Sequence, residues 1–101
     1  MAGLIGVDPA LLGTSAAAET AGASTMAGAM SGAGPEICSV LPPGADGASV
    51  AAAAGFNARG AATEAMMAEL VAMRELFATT VGVNGVSYAA VDAVGQSMLT
   101  I

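Results

Sequence analysis

The chain has no histidine, no lysine and no tryptophan. Without histidine there is no Ser-His-Asp triad and no histidine-assisted cysteine nucleophile. Cys38 is the single cysteine, so no intramolecular disulfide can form, and no zinc site can be built around it. Its thiol reads as a buried or half-buried group, not a reactive one. The only bases are Arg59 and Arg74, in 101 residues with a net charge of -6. Nucleic-acid binding needs clustered positive charge to displace counterions, and electrostatic attachment to anionic lipid needs the same; both are excluded. No Walker-type or dinucleotide glycine motif occurs. Gly85-Val86-Ser87-Tyr88-Ala89 begins like a nucleophile elbow but lacks the closing glycine. The eight acids are spread along the chain and read as solvated helix faces that confer solubility. These absences predict a protein that is not an enzyme and holds neither cofactor nor metal.

A membrane span is also missing, although 55% of the residues are apolar and the mean hydropathy is +0.74. Glu19, Glu36, Asp46, Arg59 and Glu64 interrupt the apolar stretches, and the uncharged run Thr20 to Pro35 is too short and too rich in Gly and Ser to cross a bilayer. The N-terminus carries no Lys or Arg, and Asp8-Pro9 cuts its apolar start, so it is no ordinary signal peptide. Aromatics are scarce as well: Phe56, Phe77 and Tyr88 are all there are. A small domain whose apolar content is largely Ala and Gly cannot complete a core by itself, which predicts a partner or an oligomer.

What is present reads as helix. After a short apolar lead, Met1 to Val7, Asp8 can cap free backbone N–H groups and Pro9 suits a first helical position. A first helix is predicted over about 9–38. Gly13, Gly22, Gly28 and Gly32 each cost it roughly 1 kcal/mol against Ala, an expense that makes sense where another helix packs close to the backbone. Gly34-Pro35 ends this helix or begins a distorted last turn. Val40-Leu41-Pro42-Pro43-Gly44-Ala45-Asp46, within a turn over 39–46, cannot continue a helix and forces an antiparallel return. Asp46 or Ser49 then caps a second helix over about 47–81.

The second helix carries the clearest periodicity. Phe56, Met66, Leu70, Met73, Phe77 and Val81 fall on one stripe at helical spacing. Met67, Val71 and Leu76 lie off it, Glu64 and Glu75 form the main polar strip, and Glu69 flanks the stripe's other side. A helix apolar around most of its circumference is covered on more than one side, and one companion helix cannot do that. The stripe residues Phe56, Met66, Leu70, Met73 and Phe77, with Leu11, Leu12, Met26 and Met30 on the first helix, are therefore the candidate partner-binding residues. The competing expectation is that they form ordinary core between the two helices. Gly82-Val83-Asn84-Gly85 breaks the pattern, leaving 1–85 as a helical hairpin and 86–101 as a tail that forms a short helix or stays mobile. In that tail Tyr88 and Asp92 stand four apart, on one face if helical, and set a phenol beside a carboxylate as a mark another protein can read.

The residues together resemble the mycobacterial PE family, whose members are substrates of type VII (ESX) secretion. The resemblance rests on Asp8-Pro9, Val40-Leu41-Pro42-Pro43-Gly44-Ala45-Asp46, Ala53-Ala54-Gly55-Phe56, Glu75-Leu76-Phe77 and Ser87-Tyr88-Ala89-Ala90-Val91-Asp92, in that order, over about residues 4–98. It implies an all-α fold, an antiparallel two-helix hairpin that completes a four-helix bundle with a PPE protein. It also implies assembly of that heterodimer in the cytoplasm, a chaperone that reaches it only through the PPE partner, and export by the ESX machinery to the cell envelope or outside. In the family a Tyr-x-x-x-Asp/Glu element directs export, a role that carries over to Tyr88 and Asp92. One departure stands out: the family is named for Pro-Glu, and here Ala10 follows Pro9. That loses a favourable helix-dipole term of roughly 0.3–1 kcal/mol and any partner contact the Glu makes. Two other readings use the same apolar surface: an envelope-associated PE–PPE complex for uptake of small molecules or nutrients, and a homo-oligomeric helical bundle with no export role.

Overall fold

A computed structural model describes residues 5–100. Met1–Leu4 of the expected apolar lead, and Ile101 of the expected tail, lie outside the described residues. Two helices make up most of the described residues, α1 over Pro9–Ile37 and α2 over Gly47–Leu99, and they pack as a hairpin. The fold is all-α.

Each helix begins where a cap allows it. Asp8 accepts hydrogen bonds through Oδ1 from the N–H groups of Ala10, at 2.9 Å, and Leu11, at 3.3 Å, satisfying donors that the first turn leaves free. Asp46 does the same for α2: its Oδ2 accepts from the Ser49 N–H at 3.0 Å and its Oδ1 from the Ser49 hydroxyl at 2.7 Å. The Ser49 hydroxyl, followed by the Ser49 backbone N–H, holds the Asp46 carboxyl below its ordinary pKa. Asp46 thus takes the capping role for which Asp46 and Ser49 were both candidates.

At the other end of α1 the helix runs through Pro35 to Ile37. Pro lacks an N–H, so one ladder bond is lost there, but the Cys38 N–H still reaches the Gly34 carbonyl at 3.1 Å and the Ser39 hydroxyl donates to the Pro35 carbonyl. The last turn therefore survives. The turn is then fastened by one side chain. Asn57 Oδ1 accepts from the Val40 N–H at 2.7 Å, and its Nδ2 donates to the Val40 carbonyl at 3.1 Å.

The second helix departs most from expectation. No break occurs at Gly82-Val83-Asn84-Gly85, and α2 continues without interruption to Leu99. The helical cost of those glycines is real, but packing gives it a reason. A Cβ on Gly85 would lie 3.2 Å from the Pro9 carbonyl oxygen and 3.3 Å from Leu12 Cβ, and one on Gly82 would touch Ala16 Cβ at 3.7 Å.

The chain divides into two compact units, one joining Met1–Ala21 with Arg74–Ile101, the other Gly22–Met73. In the second unit Ala23 and Ala53 are buried between the helices, and Gly60 meets Ile37 and Cys38. In the first unit Ala78 is buried and Arg74 Nε donates to Glu19 Oε2 at 2.7 Å. Ala23, Ala53 and Ala78 are the buried hydrophobic residues among those described, and no large side chain is fully buried.

A candidate partner face and an uncovered helix end

The pattern of cover along α2 is regular. Its buried or half-buried residues from the second turn on are Ala53, Asn57, Gly60, Glu64, Met67, Val71, Arg74, Ala78, Val81, Gly82 and Gly85. Apart from Gly82 they alternate by four and three residues, the 3.5-residue period of a two-helix seam. The seam therefore mixes small and polar residues with Met67, Val71 and Val81, and Val81 belongs to it and not to the outer stripe where the sequence placed it. Glu64, expected on a solvated strip, is half-buried: its Oε2 accepts from the Cys38 thiol at 3.4 Å. Burial raises the pKa of Cys38, and the hydrogen bond and negative charge of Glu64 raise it further, so the thiol is held protonated and less nucleophilic.

The bulky stripe occupies the neighbouring face. Phe56 is 62% exposed, Met66 57%, Leu70 50%, Met73 65% and Phe77 56%. These side chains do not form the hairpin's core, so the expectation of an ordinary intrachain core fails for them. Leu76, Val83 and Val86 are equally exposed beside them. The candidates on α1 divide. Leu11 is exposed, whereas Leu12, Met26 and Met30 are half-buried, and Leu12 packs where Gly85 passes. Leu12 serves the hairpin itself. Met30 also reaches a groove of about 260 Å³ that it shares with Ala29, Ala33, Ile37, Thr63, Glu64 and Met67.

The glycines tell a related story. Close approach was expected at the α1 glycines, yet a Cβ on Gly13, Gly28 or Gly32 would meet nothing within 4 Å. The tight positions are elsewhere. A Cβ on Gly60 would fall on the Ile37 carbonyl, 2.8 Å from its carbon, and one on Gly34 would run into the Glu64 carboxylate. Gly13, Gly28 and Gly32 are not there to admit α2, whereas Gly34 makes room for Glu64.

Beyond Gly85, α2 outruns α1. Every described residue after Gly85 is exposed. The seam period continues from Gly85 by three to Tyr88 and by four to Asp92. Both side chains thus stand in register with the seam, past the point where Pro9 starts the helix that would cover them. Tyr88 is 48% exposed, and with Asn84, Ser87 and Val91 it borders a shallow depression of about 330 Å³. The spacing of Tyr88 and Asp92 is real helical spacing, because the segment is helix and not a loose tail.

A Pro-Pro turn joining two Ala-rich helices, the second of which runs on past the first with its end uncovered, is the frame in which one family model fits. The PE family model matches residues 5–95. The chain belongs to the PE family. It is 42% identical over 93 residues to PE family immunomodulator PE15 of Mycobacterium tuberculosis, covering 90% of this chain and 88% of that protein, in both the CDC 1551 and H37Rv strains. It is 39% identical over 87 residues to PE family immunomodulator PE5 of the same species, covering 86% of this chain and 85% of that one. No solved structure matches. Among the described residues no helix is long and apolar enough to cross a membrane, and no group of three or more His, Cys, Asp or Glu residues could hold a metal ion.

Proposed function

We propose that this PE protein is one half of an obligate heterodimer with a PPE protein, forming a four-helix bundle, and that it carries the signal that sends the pair through a type VII (ESX) secretion system to the cell envelope or outside. The observation that carries this reading is what the hairpin buries and what it leaves out: its buried residues are alanines and glycines, while Phe56, Met66, Leu70, Met73 and Phe77 keep half or more of their surface exposed. Covering such side chains is worth roughly 1.5–3 kcal/mol each, and a contiguous apolar surface of this kind marks an interaction site. The partner lies across the stripe on α2. The α1 glycines that meet nothing in this chain leave room for a second close approach.

The uncovered end of α2 supports the export half of the reading. Tyr88 and Asp92 are exposed, sit one turn apart and make no hydrogen bond or ion pair among the described residues, so they are available to a receptor. The relatives' names describe them as immunomodulators; an exported chain is one a host can encounter. The test is export of the pair from a mycobacterial host carrying Tyr88→Ala or Asp92→Ala. Either change abolishes export while leaving the heterodimer formed. Normal export of both variants would overturn the signal assignment.

A further inference from the structure

The sequence contains two bases, and their circumstances differ. Arg74 is paired with Glu19. Arg59 is exposed and forms no ion pair among the described residues. Nor can its own helix supply one, because the positions three and four residues away are Gly55, Phe56, Ala62 and Thr63. Arg59 nevertheless sits on the face meant for cover. From Phe56 the stripe steps by three to Arg59, by four to Thr63 and by three to Met66. With Ile37, Val40, Phe56, Gly60 and Thr63, Arg59 lines a groove of about 310 Å³. Ile37 and Thr63 also border the neighbouring groove that Met30 and Glu64 line, so the Arg59 guanidinium stands at the edge of two adjoining, mostly apolar grooves that together form a trough.

An occupant that covered this trough with apolar groups alone would strip water from an unpaired charge, at a cost that packing does not recover. We infer that the trough is built for a helix of the PPE partner that carries an Asp or Glu beside an apolar anchor, the carboxylate meeting Arg59 and the anchor filling the Ile37–Val40–Phe56–Thr63 groove. This rests on the pairing proposed above and adds what selects the partner. Guanidinium and carboxylate meet through two parallel hydrogen bonds, which fix register as well as charge. A partner lacking the acid leaves Arg59 buried and alone, so Arg59 discriminates among PPE proteins and sets where along α2 the correct one docks. A second copy of this chain suits the trough poorly, because it would add another net charge of -6.

The test uses the full chain and a PPE-family chain that the wild type binds. Affinity is measured for the wild type, Arg59→Lys, Arg59→Ala and Arg59→Glu, with Asp and Glu residues of that partner reversed one at a time. Arg59→Glu should weaken binding about tenfold or more, Arg59→Ala less, with the loss shrinking at high salt. One reversed acid on the partner should restore binding to Arg59→Glu. Circular dichroism of the variants should match the wild type, because the Arg59 side chain makes no hydrogen bond or ion pair among the described residues. Equal affinity for wild type and Arg59→Glu overturns the inference and leaves the pairing standing. If the wild type binds no PPE-family chain, the pairing falls and this inference with it. A homodimer of the wild type that Arg59→Glu dissociates in sedimentation replaces the PPE partner with a second copy and equally overturns it.

Discussion

Two faces of α2 run side by side and have opposite contents. On one, Ala53, Gly60, Ala78 and Gly85 are buried against α1. On the other, Phe56, Met66, Leu70, Met73 and Phe77 keep half or more of their surface in water. Most domains place their large apolar side chains inside, because burial scales with apolar area. Here the bulkiest side chains of α2 are left outside the hairpin, Met67, Val71 and Val81 are only half-covered in it, and the small residues let two backbones approach until a Cβ on Gly60 would fall on the Ile37 carbonyl. The hairpin's own seam sets geometry and contributes little apolar burial. On the proposed pairing, the burial of the outer stripe is realised only when another molecule covers it.

This contrast can be broken from the outer side first. Leu70→Ser with Phe77→Ser should leave the helicity of the lone chain unchanged and weaken pairing about a thousandfold, taking roughly 2 kcal/mol for each apolar anchor and about 1.4 kcal/mol per tenfold in affinity. Dissociation of the co-expressed complex on dilution, followed by sedimentation, reads this directly. A large loss of helicity in the lone double variant would mean that the stripe is intrachain core after all.

The seam is tested by comparing three glycines. Gly60→Ala drives a methyl into backbone, which cannot swing aside, and should destabilise the folded pair by about 1–3 kcal/mol in denaturant melts. Gly34→Ala meets only the mobile end of Glu64 and should cost less. Gly28→Ala enters space that is open among the described residues, so it should stabilise α1 in the lone chain by up to about 1 kcal/mol. If the partner approaches α1 there, that gain is lost in the complex.

The smallest effect concerns the start of α2. The Asp46 carboxyl is held below its ordinary pKa, so its capping contribution is fully present above the usual carboxylate range and is lost as pH falls through the lowered value. Acidification should fray the first turn of α2. Asp46→Asn, which caps without titrating, should flatten that part of the pH dependence in thermal melts. Parallel pH curves for the two proteins would show that Asp46 does not govern it.

The helix starts and the turn were legible in the sequence because they are written in backbone chemistry. Asp8-Pro9 and Pro42-Pro43-Gly44 restrict φ or supply caps whatever the rest of the chain does. The outer stripe was legible too, since bulky residues at helical spacing give a strong signal. What was not legible is the seam. Alanine and glycine carry almost no periodic hydrophobic signal, so Glu64 was assigned to a solvated strip when it sits against Cys38. For the same reason Leu12 could not be told apart from Leu11, although one packs at Gly85 and the other faces water. Gly82-Val83-Asn84-Gly85 reads as a break because intrinsic propensity is all the sequence offers there. The contacts of Gly82 with Ala16 and of Gly85 with Pro9 and Leu12 are what tertiary packing adds. Arg59 entered the sequence reading only as one of two bases and a break in an apolar stretch, though its position three residues after Phe56 was visible throughout.

The most direct test of the central claim, that this hairpin is half of a core, is a thermal melt followed by circular dichroism and sedimentation, on the chain alone and on the chain co-expressed with a PPE partner. A poorly folded or aggregating lone chain and a 1:1 complex with one sharp transition are the expected results. A lone chain that sediments as a monomer and melts cooperatively would contradict the account, because its exposed stripe would then need no partner.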